Sequence, residues 1–138
     1  MALKIVKLHN TGNAAEEYVE IKADRSENLG EYIVADLTFD DEYNLSNTDR
    51  HVYWFPGVHL NDGDKAYLYT RPKEKFDEES TVDTGGKFTH FFYWGSKAAI
   101  WNDTGDTAYL YKTTLVSLLS TPVKLKRPIQ MRDLLKKN

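Results

Sequence analysis

The sequence predicts an all-β protein, a sandwich or barrel of about eight or nine short strands followed by a short basic C-terminal tail. Three observations carry this. Aromatic residues make up 13% of the 138 residues, nine of them tyrosine, and β-branched residues sit beside them; both types suit a pleated, half-buried surface. Runs of alternating apolar and polar residues recur between clusters of turn residues. Helical periodicity is nearly absent before residue 128.

Leu3 to His9 reads as the first strand, and Asn10-Thr11-Gly12-Asn13 as a turn, because Asn and Gly tolerate positive φ. Glu17 to Ala23 alternates, with Val19 and Ile21 on one face and Tyr18, Glu20 and Lys22 on the other, as a strand with one wet side does. Tyr32 to Phe39 follows, with Ile33, Ala35, Leu37 and Phe39 sharing a face. Asp40 to Arg50 is polar and reads as a loop. His51 to Phe55 is a short strand stopped by Pro56-Gly57. Lys65–Thr70, Lys87–Trp94 and Thr107–Lys112 read as strands, and Thr114–Leu119 as a last one. Arg71 to Gly86, charged and ending in Gly85-Gly86, is expected to be a long mobile loop. Pro128 to Lys137 is expected to form one short helix with Pro at its start. Residues 1–120 would then be one sandwich domain, and residues 121–138 a basic tail, linker or short helix.

One segment occurs twice. Asn61-Asp62-Gly63-Asp64-Lys65-Ala66-Tyr67-Leu68-Tyr69 nearly matches Asn102-Asp103-Thr104-Gly105-Asp106-Thr107-Ala108-Tyr109-Leu110-Tyr111. Each copy is a turn that launches a strand in which Ala and Leu share one face and two tyrosines the other. With Ala66, Leu68, Ala108 and Leu110 inward, Tyr67, Tyr69, Tyr109 and Tyr111 face out. If the two strands lie close in one sheet, these rings form an aromatic stripe, the candidate partner-binding surface. In the bland alternative, Tyr is simply a good strand residue on a solvated face.

The absence of cysteine excludes a disulfide scaffold, a cysteine-ligated zinc site and a cysteine nucleophile. His9, His51, His59 and His90 have no metal-pair spacing, no serine lies in a G-x-S-x-G elbow, and there is no glycine-rich phosphate cradle. No catalytic residue and no cofactor is therefore expected, and the chain reads as a non-enzyme. Calcium is the one cofactor that the acidic turns could hold, at Asp40-Asp41-Glu42, Asp62/Asp64 or Asp103/Asp106, although Asp at a β-turn also serves local hydrogen bonds. The net charge of −3 is unevenly spread: residues 121–138 carry six basic side chains and one acidic. Lys124, Lys126, Arg127, Arg132, Lys136 and Lys137 could grip phosphates, whereas the acidic body would repel them. No stretch reaches the roughly 20 apolar residues of a membrane span. Met1 to Lys7 has no apolar run long enough for a secretory signal. As it stands the chain is expected in the cytoplasm, or outside it if cut from a larger exported protein.

Four blocks in order resemble the lamin tail domain family. Glu17-Tyr18-Val19-Glu20-Ile21-Lys22 is similar to its E-Y-V-E-I-x strand, and Asn28-Leu29-Gly30-Glu31-Tyr32-Ile33-Val34 to its L-x-G-W-x-L/V strand, with Tyr32 where Trp is usual. Phe55-Pro56-Gly57-Val58-His59-Leu60-Asn61-Asp62-Gly63-Asp64 resembles the F-P-x-x-x-L-x-x-G-x turn. Trp94-Gly95, then Ile100-Trp101-Asn102-Asp103-Thr104-Gly105-Asp106 with the strand after it, resembles the W-N-N-x-G-D ending. The departures are Tyr32, the charged insert at Lys73–Lys87, and no D-G turn after Tyr111.

The resemblance implies an immunoglobulin-like β-sandwich without catalytic residues. Such domains contact proteins, chromatin and DNA in nuclear lamins. In bacteria, alone or within larger chains, they accompany secreted or surface nucleases and hydrolases. The first expectation is thus a non-catalytic module for protein–protein or surface association, docking partners on the tyrosines, on loop Asp40–Arg50 or on sheet edges. The alternatives are a nucleic-acid accessory using the basic tail, and a carbohydrate-binding module using Trp54, Trp94 and tyrosine rings.

Overall fold

The structure, a computed structural model, describes residues 2–36, 51–101 and 106–122. Among these it forms ten strands: β1 (Leu3–His9), β2 (Tyr18–Ala23), β3 (Glu27–Asn28), β4 (Tyr32–Asp36), β5 (His51–Trp54), β6 (His59–Leu60), β7 (Lys65–Tyr69), β8 (Ser80–Val82), β9 (Phe88–Tyr93) and β10 (Ala108–Lys112). A single 3₁₀ turn, Leu29–Glu31, separates β3 from β4. The strands make a five-stranded sheet in the order β1-β2-β7-β9-β8, a three-stranded sheet β10-β4-β5 and a two-stranded sheet β3-β6. The fold is an all-β sandwich.

The alternation seen in the sequence places the core. Val19, Ile21, Ala66, Leu68 and Phe92 of the large sheet pack with Tyr32, Val34, Phe55, Leu60 and Trp101. All are buried, whereas the neighbours of Ala66 and Leu68 along β7 are half-exposed, which is period two read directly as burial. Large-sheet pairs are antiparallel except β7 and β9, which run parallel because the chain crosses over through β8 at the sheet edge. Two antiparallel layers were expected; the crossover breaks that rule once.

Three expectations need correction. The expected mobile loop Arg71–Gly86 is ordered: it contains β8 and is braced by a bidentate pair from Arg71 Nη1 and Nη2 to Asp77, at 2.6 and 3.0 Å. The strand expected at Thr114–Leu119 is absent; the segment is exposed and unpaired with any other strand. In β4 Tyr32 and Val34 enter the core cluster, and Ala35 on the other face is buried as well. Both faces of that strand are apolar, so alternation could not choose between them. The count of eight or nine strands missed β3, β6 and β8, which have two or three residues each. Loop Asp40–Arg50, the strand beyond Asp36 and the helix at Pro128–Lys137 lie outside the described residues.

Two glycines fix the crossing of the second and third resemblance blocks. Glu27 and Asn28 pair with Leu60 and His59, and Leu29 donates its N–H to Val58 O at 2.8 Å. There the chains are so close that a Cβ on Gly30 would stand 2.9 Å from Gly57 Cα. Trp54 Nε1 donates to Gly30 O at 2.7 Å and latches β5 over the same point.

Candidate functional site

The outer face of the five-stranded sheet carries one feature that strand alternation and register build together. Antiparallel pairing sets His9 opposite Tyr18 and Tyr18 opposite Tyr69; parallel pairing sets Tyr69 beside Tyr93. Four rings therefore form a straight row across β1, β2, β7 and β9. Their centroids are 4.3, 4.8 and 5.7 Å apart; the last two fall in the range of favourable aromatic pairs and the first, between the His9 and Tyr18 rings, is slightly closer. The guanidinium of Arg71 ends the row, 5.0 Å from the Tyr93 ring and 5.3 Å from that of Tyr69. A second row lies alongside: Tyr67 sits between Glu20 and Phe91, 5.8 Å from the Phe91 ring and 4.8 Å from Tyr18.

Polar groups frame these rows. Glu20 lies 2.7 Å from His9 Nε2 and 3.2 Å from Lys65 Nζ. Partial burial raises its carboxyl, but the hydrogen bonds from His9 and Lys65 outweigh this and hold it below the usual carboxylate range. At the far end the Arg71 hydrogen bonds hold Asp77 down at about 2. Burial is the main cause that pushes the Tyr18, Tyr69 and Tyr93 phenols up, so at neutral pH they remain O–H donors. Tyr93 uses its hydroxyl to donate to Glu78 O at 2.9 Å.

The rings face one another. His9 and Tyr18 are nearly parallel, at 9°, and Tyr69 and Tyr93 at 15°. Faces covered by neighbouring rings are not free for a sugar or a base. Tyr18, Tyr67 and Tyr69 are half-buried amphipathic groups of the kind that anchor protein interfaces.

The four tyrosines singled out in the sequence are split. Tyr67 and Tyr69 belong to this face. Tyr109 and Tyr111 lie in the three-stranded sheet, where they stack on each other at 6.0 Å. No single four-tyrosine stripe exists, because the two halves of the sequence repeat enter different sheets. Tyr18, Phe91, Tyr93, His9 and Arg71 were missed. Alternation had already placed Tyr18 on the wet face of β2; what it could not supply was the register that aligns four strands.

No protein-family model and no curated protein matches this chain.

The remaining candidates are placed as follows. Trp54 is 61% exposed on β5, with its indole N–H taken by Gly30; Trp94 is half-buried, edge-on to Trp101 and beside Tyr53. They offer no pair of open ring faces. The Asp64 carboxylate is buried and accepts from Asn61 N and Phe88 N, each at 2.9 Å, so it clamps its own turn to β9. Asp40, Asp41, Glu42 and Asp103 lie outside the described residues, as do Lys124, Lys126, Arg127, Arg132, Lys136 and Lys137. Among the described residues no three His, Asp or Glu side chains come together as a metal site. None of their helices is long and apolar enough to cross a membrane.

Two clefts open where the sheets part. One, of about 570 Å³, is lined by Tyr53, Val58, His90 and Phe92; burial lowers the His90 imidazole below its ordinary value. The other, of about 700 Å³, lies between β1 and β10 and is lined by Leu3, Ile5, Tyr32, Tyr109 and Leu110.

Proposed function

We propose that this chain is a non-catalytic binding module of lamin-tail type that docks a protein partner on the outer face of its five-stranded sheet. The observation that carries the reading is the row His9–Tyr18–Tyr69–Tyr93 with Arg71 at its end. Tyr and Arg are the residues most enriched at binding hot spots, because they offer large area for few rotatable bonds and keep a polar tip. Here neighbouring rings also hold each other in place, so little side-chain entropy remains to be lost on docking.

The test is an affinity capture with the purified chain and a Tyr69→Ser variant side by side. A polypeptide that is retained saturably, competed by free chain and lost with Tyr69→Ser supports the reading. Oligosaccharide or DNA retained in place of protein, or equal retention by the variant, contradicts it.

A further inference from the structure

We propose that the apolar segment Thr114–Leu119 is an exchanged strand that joins two copies of this chain, each adding it to the free edge of the other's β10. The segment is anomalous in the structure. Leu115, Val116, Leu118 and Leu119 are 74, 92, 78 and 96% exposed, four large apolar side chains within five residues, broken only by Ser117. Its alternation gives Val116 and Leu118 on one side and Leu115 and Leu119 on the other, so it reads as a strand covered on both faces.

The edge beside it is unfilled. Among the described residues β10 has a strand neighbour on one side only, β4. Ala108 and Leu110 point at the core yet stay only half-buried, and the 700 Å³ cleft opens next to them. The edge of β1 across that cleft is blunted by a bulge between Ile5 and Lys7 and by Lys4 and Lys7, so β10 is the better acceptor.

Local chemistry disfavours folding back within one chain. Lys112-Thr113-Thr114-Leu115-Val116 has no Gly, Asn, Asp or Pro, the residues a tight hairpin needs. Thr113 is also pinned: its N–H and Oγ1 both donate to Glu31 O, at 2.7 and 2.9 Å, which continues the β10–β4 register and directs the chain onward. Because Thr113 turns its N–H toward β4, strand alternation turns the backbone groups of Ala108, Leu110 and Lys112 outward.

These facts define a register. Two continuous strands, 108–119, run antiparallel about a two-fold axis at Thr113. Lys112, Leu110 and Ala108 then exchange hydrogen bonds with Thr114, Val116 and Leu118 of the second copy. Val116 and Leu118 cover the half-exposed core positions, and Leu115 covers Tyr111. The contact is self-complementary, as a two-fold dimer requires.

The full chain should sediment at tens of micromolar with twice its 15.9 kDa mass. Val116→Asp with Leu118→Asp should give a folded monomer whose melting temperature, unlike that of the wild type, does not depend on protein concentration, since both side chains are exposed in the single chain. In this cysteine-free chain, Tyr111→Cys with Leu115→Cys, oxidised, should run as a covalent dimer on a non-reducing gel. A wild-type chain that stays monomeric overturns the proposal. So does a disulfide formed within one chain, which would show the segment folded back on its own β10, and so does a failure of the pair to oxidise in a dimeric sample.

Discussion

Glu17 and Thr70, 53 residues apart, are joined by a 2.5 Å hydrogen bond between the Thr70 hydroxyl and Glu17 Oε2 in the interior of the sandwich. The same oxygen accepts Ile100 N at 2.8 Å and Trp101 N at 3.3 Å, while Oε1 accepts Gly12 N at 3.1 Å. Glu17 is fully buried, and among the described residues no cation pairs with it; backbone N–H groups and a hydroxyl donate to its oxygens instead. One carboxylate thus ties the β1–β2 turn, the end of β7 and the loop before Trp101 into one corner.

Removing this acceptor leaves three buried donors, the Thr70 hydroxyl and the Ile100 and Trp101 N–H groups, without a partner, together with the N–H of exposed Gly12. Glu17→Ala should cost roughly 3 kcal/mol or more, a fall in Tm of about 10 °C. Glu17→Gln should be destabilising too, because its NH₂ group must face one of those donors. Thermal unfolding followed by far-UV circular dichroism checks both.

The close approach to Gly57 leaves no room for a side chain on Gly30. Gly30→Ala should destabilise by about 1–3 kcal/mol through backbone displacement. Ser at exposed Gly12, where a Cβ meets nothing but φ is +89°, should cost less, about 1 kcal/mol. Urea midpoints of the two variants would order them.

The Arg71–Asp77 pair should fail in acid. Asp77 is held at about 2 against an ordinary 3.8, so the loop's docking is complete above pH 3.8 and lost as the pH falls through about 2. Hydrogen exchange at the Glu74 N–H, which Asp77 Oδ2 accepts at 2.7 Å, should accelerate over that window. Asp77→Asn should abolish the pH dependence and leave the global Tm nearly unchanged, as a partly exposed pair at the rim of the sheet contributes little.

Much of the fold was legible because period-two alternation is local. Leu3–His9 has the bounds the sequence predicts, and β2, β5, β7, β9 and β10 fall within a residue or two. Alternation failed where it carries no contrast, in apolar β4, and where strands are too short to show a period, in β3, β6 and β8. It also could not reveal pairings set by distant chain. Arg71 and Asp77 looked like members of a charged run until the fold brought a fork against a carboxylate. Likewise Tyr18 and Tyr69 were separate wet-face residues until β2 and β7 paired in register. The expected last strand at Thr114–Leu119 had the right pattern, but a strand needs an edge to join, and within one chain nothing turns it back.

The central claim is that the ring-lined face of the five-stranded sheet, not the opposite one, is where a protein docks. The most direct measurement is the affinity of the captured partner for Tyr69→Ala against Tyr111→Ala, by titration calorimetry with both variants shown to be folded. Loss of a hot-spot tyrosine costs about 2 kcal/mol, so binding to Tyr69→Ala should weaken by roughly 30-fold. Tyr111→Ala, on the three-stranded sheet, should bind as wild type does. Equal affinities for the two variants, or a loss confined to Tyr111→Ala, would contradict the account.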